Sequence, residues 1–235
     1  MNTRKANPKS EFDGPIPEQM QRYYIIYKPF QILSQFTSPD NKRSLKDLSQ
    51  FPSDVYPVGR LDYDSEGLLI LTNDASLNHF LLNPRFGHER EYWVQVEGRI
   101  GPSSIRTIST GVEISINGKN YRTKKCKAAI LGSDLSIPDR NPPIRFRKNI
   151  PSSWISLVLT EGKNRQVRKM TAKIGFPTLR LIRHRVEGLN VDGMKSGEIK
   201  ELTKEEIYAK LSIHLGHGQG RESRNPLKKK WKERQ

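Results

Sequence analysis

The chain has one cysteine, no long apolar run and a shortage of acid: 25 Asp and Glu stand against 41 Lys and Arg in 235 residues. A lone cysteine excludes an internal disulfide and any cysteine-cluster metal site. Cys126, set between Lys125 and Lys127, reads as a small hydrophobe on a strand in a reducing cytoplasm. No segment approaches the roughly 18 apolar residues of a membrane span, and no N-terminal apolar stretch resembles a signal peptide, so a soluble, unsecreted protein is expected. The deficit of acid leaves a formal net charge of +16 and a pI near 10.0, well beyond the few net charges that solubility requires. A polyanionic partner is implied, either nucleic acid or an anionic membrane surface, and the distribution of charge separates the two. From Lys163 to Arg185 there are eight cations and no acid.

The length suits one domain or two small lobes with a core that needs no covalent staples. Residues 1–22 mix Pro, Ser, Gln and both charge signs without periodicity, which predicts a tail, with order beginning at Tyr23. Tyr23 to Tyr27 is rich in strand formers, and Ile32 to Phe36 predicts a second short strand. Leu68 to Leu71 reads as a buried strand, and Asn73-Asp74 as the N-cap of a helix running through Leu82 to Asn83-Pro84. Arg90 to Glu97 alternates, with Tyr92, Val94 and Val96 on one face and Trp93, Gln95 and Glu97 on the other. A helix is expected from Ser103 to Thr110, stopped by Gly111, and strands from Lys124 to Leu131 and Trp154 to Thr160. Four prolines between Gly132 and Pro151 predict a long surface excursion. Lys163 to Ile174 has helical character, with Val167, Met170 and Ile174 on one side and Arg165, Arg168, Lys169 and Ala172 on the other. Thr178 to Val186 reads as a basic strand close to that helix. Residues 212–235 predict a basic tail, with seven cations against two acids from Arg221 to Gln235.

The most informative stretch is Tyr56 to Asn73, where Asp62, Asp64 and Glu66 stand beside Arg60 at the entrance of the apolar run Leu68 to Leu71. Turn formers Gly59, Ser65 and Gly67 set the acids in a loop that a rigid strand holds out. Spacing alone allows an ordinary solvated turn. The basic helix argues for more, because Arg165 and Lys169 repel at i,i+4, whereas surface helices usually interleave charge signs. A repulsive cationic face suits an anionic partner.

Three ordered segments carry a resemblance: GRLDYDSEGLLILTND (Gly59 to Asp74), REYWVQVEG (Arg90 to Gly98) and EGKNRQVRKMTAKIGFPTLRLIR (Glu161 to Arg183). Together they resemble the signature segments of the RsuA-type ribosomal RNA pseudouridine synthases, over roughly Tyr23 to Tyr208. Arg165 to Arg168 and Asn141 to Trp154 look most like the E-type, large-subunit (23S) members. The resemblance implies an α+β fold, a mixed and mostly antiparallel central sheet flanked by helices with a cleft across its middle. It divides the chain into a tail at 1–22, a catalytic domain at 23–211 and a basic tail at 212–235.

The implied reaction breaks the N1–C1′ bond of one uridine, rotates the base and rejoins it through C5, without cofactor or metal. Asp62 matches the family's catalytic aspartate, Arg168 the arginine that pairs with it, and Tyr92 the active-site tyrosine. Arg60 would fill the space of the extruded nucleotide. Lys163, Asn164, Arg165, Lys169, Arg180 and Arg183 would grip the RNA, with Lys28 a further phosphate contact. Asp64 and Glu66 would be structural. The implied partner is large-subunit ribosomal RNA, with no membrane, bound by a cytoplasmic monomer.

Two departures stand out. Arg90 and Arg165 replace the family's usual lysine and histidine, and the 22 residues before the first strand are too few for the S4 RNA-binding domain many relatives carry. Two other readings start from the residues alone. Asp62, Asp64 and Glu66 could hold Mg²⁺ in a nuclease, or charge alone could serve a non-catalytic RNA-binding protein.

Overall fold

Strand formers in unbroken or alternating runs assemble one large sheet. In the computed structural model the described residues are 17–38, 40–132, 135–144 and 150–213. The strands are β1 (Tyr23–Lys28), β2 (Tyr56–Pro57), β3 (Glu66–Thr72), β4 (Arg90–Glu97), β5 (Glu113–Ile116), β6 (Lys119–Arg122), β7 (Lys127–Ile130), β8 (Ser152–Leu159), β9 (Thr178–Val186), β10 (Leu189–Asn190) and β11 (Ile199–Leu202). The helices are α1 (Ala75–Leu82), α2 (Pro102–Ser109), α3 (Gln166–Lys173) and α4 (Lys204–Lys210). Nine strands form one mixed sheet in the order β11-β1-β3-β9-β4-β8-β7, with β2 on β3 and β10 on β9, while β5 and β6 make a separate hairpin. This is the mixed α+β architecture expected. Among the described residues no helix is long and apolar enough to cross a membrane.

The sheet has a seam. β3 and β9 run parallel and pair only at Glu66 with Ile182 and Gly67 with Arg183. The ladders on either side, β1·β3 and β4·β9, are antiparallel. Gly67 makes the seam possible: its φ is +100°, and a Cβ there would lie 2.3 Å from the Arg183 carbonyl oxygen. Only glycine allows the two backbones to approach so closely. Beyond these two pairs the ladder stops, which leaves a cleft between the sheet's halves.

Each face of the sheet has its own core. Leu68 and Ile70 pack with Tyr27, Ile182 and the α4 residue Ile207. Leu69 and Leu71 face the other way, onto Ile26, Ile32, Leu45 and Val55. In the second half Val94, Val96, Ile155 and Leu157 bury Ile108 of α2 and Val167 and Met170 of α3. Asp74 caps α1 by accepting from the Ser76 and Leu77 amides. Its other oxygen accepts from the hydroxyls of Tyr23 (2.9 Å) and Tyr208 (2.6 Å), which ties α4 to β1.

Several expectations are corrected. Ile32 to Phe36 is no strand: Leu33 makes one isolated bridge to Ser44, and Ile32 serves as a core plug with 0% exposure. Order begins ahead of Tyr23, in a 3-10 turn at Glu18–Met20 that Asn73 clamps by accepting from the Arg22 amide (2.8 Å) and donating to the Met20 carbonyl (3.0 Å). Periodicity cannot reveal a clamp made by one side chain. Residues 1–16 and 214–235 of the expected tails lie outside the described residues. The helix expected from Lys163 begins at Gln166, because Arg165 takes the left-handed conformation (φ 51°) at its N-cap. The hairpin β5–β6 was not anticipated, although Asn117-Gly118 at its turn, both with positive φ, is a strong hairpin signal.

Two cations expected on RNA are buried and bonded within the fold. Arg180 is 6% exposed and grips Glu66 bidentately, at 2.8 and 2.7 Å, across the seam. It also donates to the Pro138 carbonyl and so fastens the proline-rich excursion to the sheet (2.8 Å). With Nε and Nη2 engaged in this way, the guanidinium is turned inward, away from the surface a phosphate could reach. Lys28 is 0% exposed, and its ammonium donates to the carbonyls of Pro29 and Ile32, both at 2.8 Å. Burial lowers its pKa from 10.5 to about 7, against the opposing fields of Glu66, Asp64 and Asp62.

Removing one member of a buried pair strands the other's charge. Glu66→Gln is expected to lower the unfolding free energy by about 3–5 kcal/mol, and Glu66→Leu/Arg180→Met to recover most of that loss. Urea denaturation checks this, and a double variant no more stable than the single one refutes the pair. For Lys28, the unfolded chain keeps its proton to about pH 10.5 while the fold releases it near 7. The unfolded state binds more protons in that window, so the fold gains stability as pH rises through it. Wild type should therefore gain on Lys28→Met between pH 7 and about pH 9. A stability gap that stays constant over this range contradicts the assignment.

Candidate active site

The loop before β3 is built to present acids. Leu61 is buried and held by Ser34, whose hydroxyl accepts from the Leu61 amide (3.1 Å) and donates to its carbonyl (2.9 Å). The Asp62 carbonyl accepts from the Ser65 amide at 3.0 Å, closing a turn. Asp62 and Asp64 therefore project half-exposed from a fixed backbone, with side-chain exposures of 37% and 34%.

Across the cleft, Glu161 organises the facing wall. Its carboxylate accepts from the Tyr121 hydroxyl, the Lys124 amide (2.9 Å) and the Gln166 side-chain amide (2.6 Å). Gln166 in turn accepts from the Lys163 amide at 2.9 Å. These bonds fix the short loop Lys163-Asn164-Arg165, all three residues exposed. Lys163 lies over the Tyr121 ring at 5.1 Å. Glu161 and Tyr121 escaped the sequence reading: Glu161-Gly162 passed for a strand end, and Tyr121 lies on the unforeseen hairpin.

The acids and cations meet in an arrangement that differs from the expected one. Arg165 donates to both Asp64 oxygens, at 3.0 and 2.8 Å, and its Nη1 stands 3.4 Å from Asp62 Oδ2. Arg168, expected to pair with Asp62, instead donates to the Asp64 carbonyl at 2.6 Å, with Nη2 3.4 Å from the Asp64 carboxylate. The left-handed turn at Arg165 places that residue's guanidinium over the loop, and Arg168 engages the loop at Asp64. Burial pushes the Asp64 carboxyl up, but the Arg165 hydrogen bonds and the fields of Arg168 and Arg165 outweigh it and hold it below the usual carboxylate value. Arg168 keeps one buried Nε without a partner among the described residues.

The three loop acids do not converge. Glu66 is locked to Arg180, Asp64 to two arginines, and Asp62 alone keeps a single, long contact. No cluster of three or more His, Cys, Asp or Glu that could hold a metal ion occurs among the described residues. Asp62, Asp64 and Glu66, the acids of the nuclease reading, thus meet different sets of arginine contacts.

Asp62 opens into a cleft of about 450 Å³, lined also by Arg60, Tyr92, Arg165, Leu181 and Arg183. Tyr92 and Arg183 face each other through a break in register. Arg90 pairs with Val186, Glu91 with Arg185 and Tyr92 with Arg183, so His184 bulges out and stacks on Trp93 (3.8 Å, 9°). The bulge keeps Tyr92 and Arg183 on the cleft side and sends Arg185 to the opposite face, where it binds Glu91 and Glu89. Arg183, expected on phosphate, is 7% exposed and donates to the Leu68 carbonyl (2.8 Å). It belongs to the cleft floor, beside the Tyr92 hydroxyl. Lys169 is also displaced: it faces a separate shallow groove against β5 and β6, with Lys173. The structure thus gathers Arg60, Asp62, Tyr92, Lys163, Asn164 and Arg165 on one cleft. Arg168 reaches that loop through Asp64.

Comparison with known proteins bears on the family and the fold. Residues 22–173 match the model of the family described as RNA pseudouridylate synthase. A protein of Vibrio parahaemolyticus named ribosomal large subunit pseudouridine synthase E is 41% identical over 201 residues, covering 85% of this chain and 82% of its own. A protein of the same name from Xanthomonas axonopodis pv. citri is 41% identical over 172 residues, covering 72% and 88%. A solved structure titled crystal structure of pseudouridylate synthase has the same fold, with a TM-score of 0.65 at 24% identity over 81% of this chain and 74% of its own. With the match spanning both the acid loop and the facing basic helix, the chain belongs to the RNA pseudouridylate synthase family.

Proposed function

We propose that this protein converts one uridine of large-subunit (23S) ribosomal RNA to pseudouridine during ribosome maturation, as a cytoplasmic monomer without cofactor. The observation that carries the reading is Asp62: of three neighbouring acids it alone faces the cleft with one loose counter-ion, while Asp64 and Glu66 are consumed by arginines. The names of the similar Vibrio and Xanthomonas proteins support the substrate class.

In this reading Asp62 is the essential carboxylate that permits cleavage of the N1–C1′ bond. Arg165 is its counter-ion in the free protein, and Arg168 positions the acid loop through Asp64. Tyr92, on the cleft floor beside Arg183, stacks on the freed base and assists removal of the C5 proton. A uridine within a helix hides its glycosidic bond, and extruding it costs about a few kcal/mol. Arg60, exposed on the acid loop, fills the vacated space, and Lys163, Asn164 and Arg165 repay the extrusion through phosphates.

Asp62→Asn is expected to abolish pseudouridine formation on ribosomal RNA while RNA affinity stays within about twofold, since the carboxylate repels phosphate rather than binding it. Substantial residual turnover sinks the assignment. Mapping pseudouridines in ribosomal RNA from cells with and without the protein should show one lost large-subunit site. Removal of Arg221 to Gln235, with its seven cations, should weaken binding and flatten its salt dependence without altering the chemistry. An unchanged salt slope shows that the tail makes no phosphate contacts.

A further inference from the structure

The acid loop and the basic loop leave one wall of the cleft without an assigned task, the end of α1 and the turn that follows it. From Ala75 to Gly87 the sequence contains no acid. Leu82 and Phe86 are 46% and 40% exposed, two large apolar side chains set close together on one short segment beside the site. Arg85 lies over the Phe86 ring with its guanidinium carbon 4.7 Å from the centroid.

The segment is held rigid. Asn83 caps the 3-10 turn Pro84–Phe86 by accepting from the Arg85 amide (3.1 Å), and Gly87 ends it in the left-handed region (φ 63°). Phe86 rests on Phe80, with centroids 4.7 Å apart. His88 bridges the Phe80 carbonyl (3.0 Å) and the Glu187 carboxylate (3.1 Å). Arg90 donates to the carbonyls of Leu81 (2.8 Å) and His88 (3.3 Å), so it clasps the segment near both ends.

It also adjoins the chemistry. A Cβ on Gly59, the residue before Arg60, would meet the Leu82 side chain at 3.0 Å, and Leu82, Asn83 and Gly87 line the cleft that contains Asp62.

We propose that Leu82, Arg85 and Phe86 form a stacking shelf for an unpaired nucleotide adjoining the target uridine. When the uridine leaves its stack, a neighbouring base loses a stacking partner. An exposed ring and a guanidinium offer a replacement that tolerates any base, because every base has a π-face. The cation adds phosphate attraction, and the acid-free segment offers no repulsion to RNA. The shelf acts on binding and positioning, whereas Asp62 performs the chemistry. The inference rests on the pseudouridine synthase reading for the RNA and for the extruded uridine beside the shelf.

The test uses the full chain and a ribosomal RNA fragment that contains the modified uridine. Phe86→Leu keeps an apolar contact to Phe80 but removes the ring, and Arg85→Gln removes the charge. Each is expected to weaken RNA binding about tenfold, with the single-turnover rate at saturating RNA reduced less than about twofold. 4-Thiouridine placed next to the target should cross-link to residues 82–87 in wild type and lose that cross-link in Phe86→Leu. Unchanged affinity in both variants, or cross-links confined to Lys163–Arg165, overturns the shelf. The affinity and cross-linking readouts measure binding, so they stand or fall independently of whether Asp62→Asn is inactive.

Discussion

Everything functional in this protein hangs on the close contact between β3 and β9. Two antiparallel half-sheets meet there through only two parallel pairs, and Gly67 permits the approach. The same seam places Glu66 beside Arg180, a bidentate pair shielded from water. A parallel junction that ends so soon splits the sheet surface, and the residues at the mouth of the split become the site. Asp62 arrives on the loop that feeds β3, Tyr92 on the strand beyond β9, and Arg165 on the loop that follows β8.

The large positive charge separates into groups with different physics. Arg180, Arg183 and Lys28 are buried, each hydrogen-bonded to carbonyls or to a carboxylate, and they build the platform. Arg165 and Arg168 are intermediate, joining the basic helix to the acid loop at Asp64. Lys163, Arg60 and Arg85 remain exposed around the cleft. Net charge counts all of these equally, but the buried group is closed to phosphate, whereas Arg165 and the last group are exposed to it. A buried cation without its carbonyl or carboxylate partner would be strongly destabilising.

Bonded networks on both sides of the cleft supply its rigidity. Ser34 closes on Leu61 beneath the acid loop, and Glu161 collects donors from the hairpin, the segment after it and α3. Each network joins residues distant in sequence, and each leaves the neighbouring functional side chains facing the cleft. That arrangement suits a reaction in which a base must be detached, turned and reattached without escaping.

The amino-acid sequence by itself determined the mixed α and β character, the buried strand at Leu68 to Leu71, the Asp74 cap, the alternation from Arg90 to Glu97 and the family motifs. These are local signals: period-2 alternation, apolar runs, a capping residue and short fixed spacings. Only the tertiary structure decided which arginine faces which acid. Arg165 rather than Arg168 reaches Asp62 because one left-handed residue redirects a side chain, and Arg180 leaves the RNA-facing set because Glu66 lies across a seam formed by strands more than a hundred residues apart. Helical and strand periods assign side chains to faces, but they carry no information about long-range pairing. The partner, and with it the role, is set by which strands come to lie side by side.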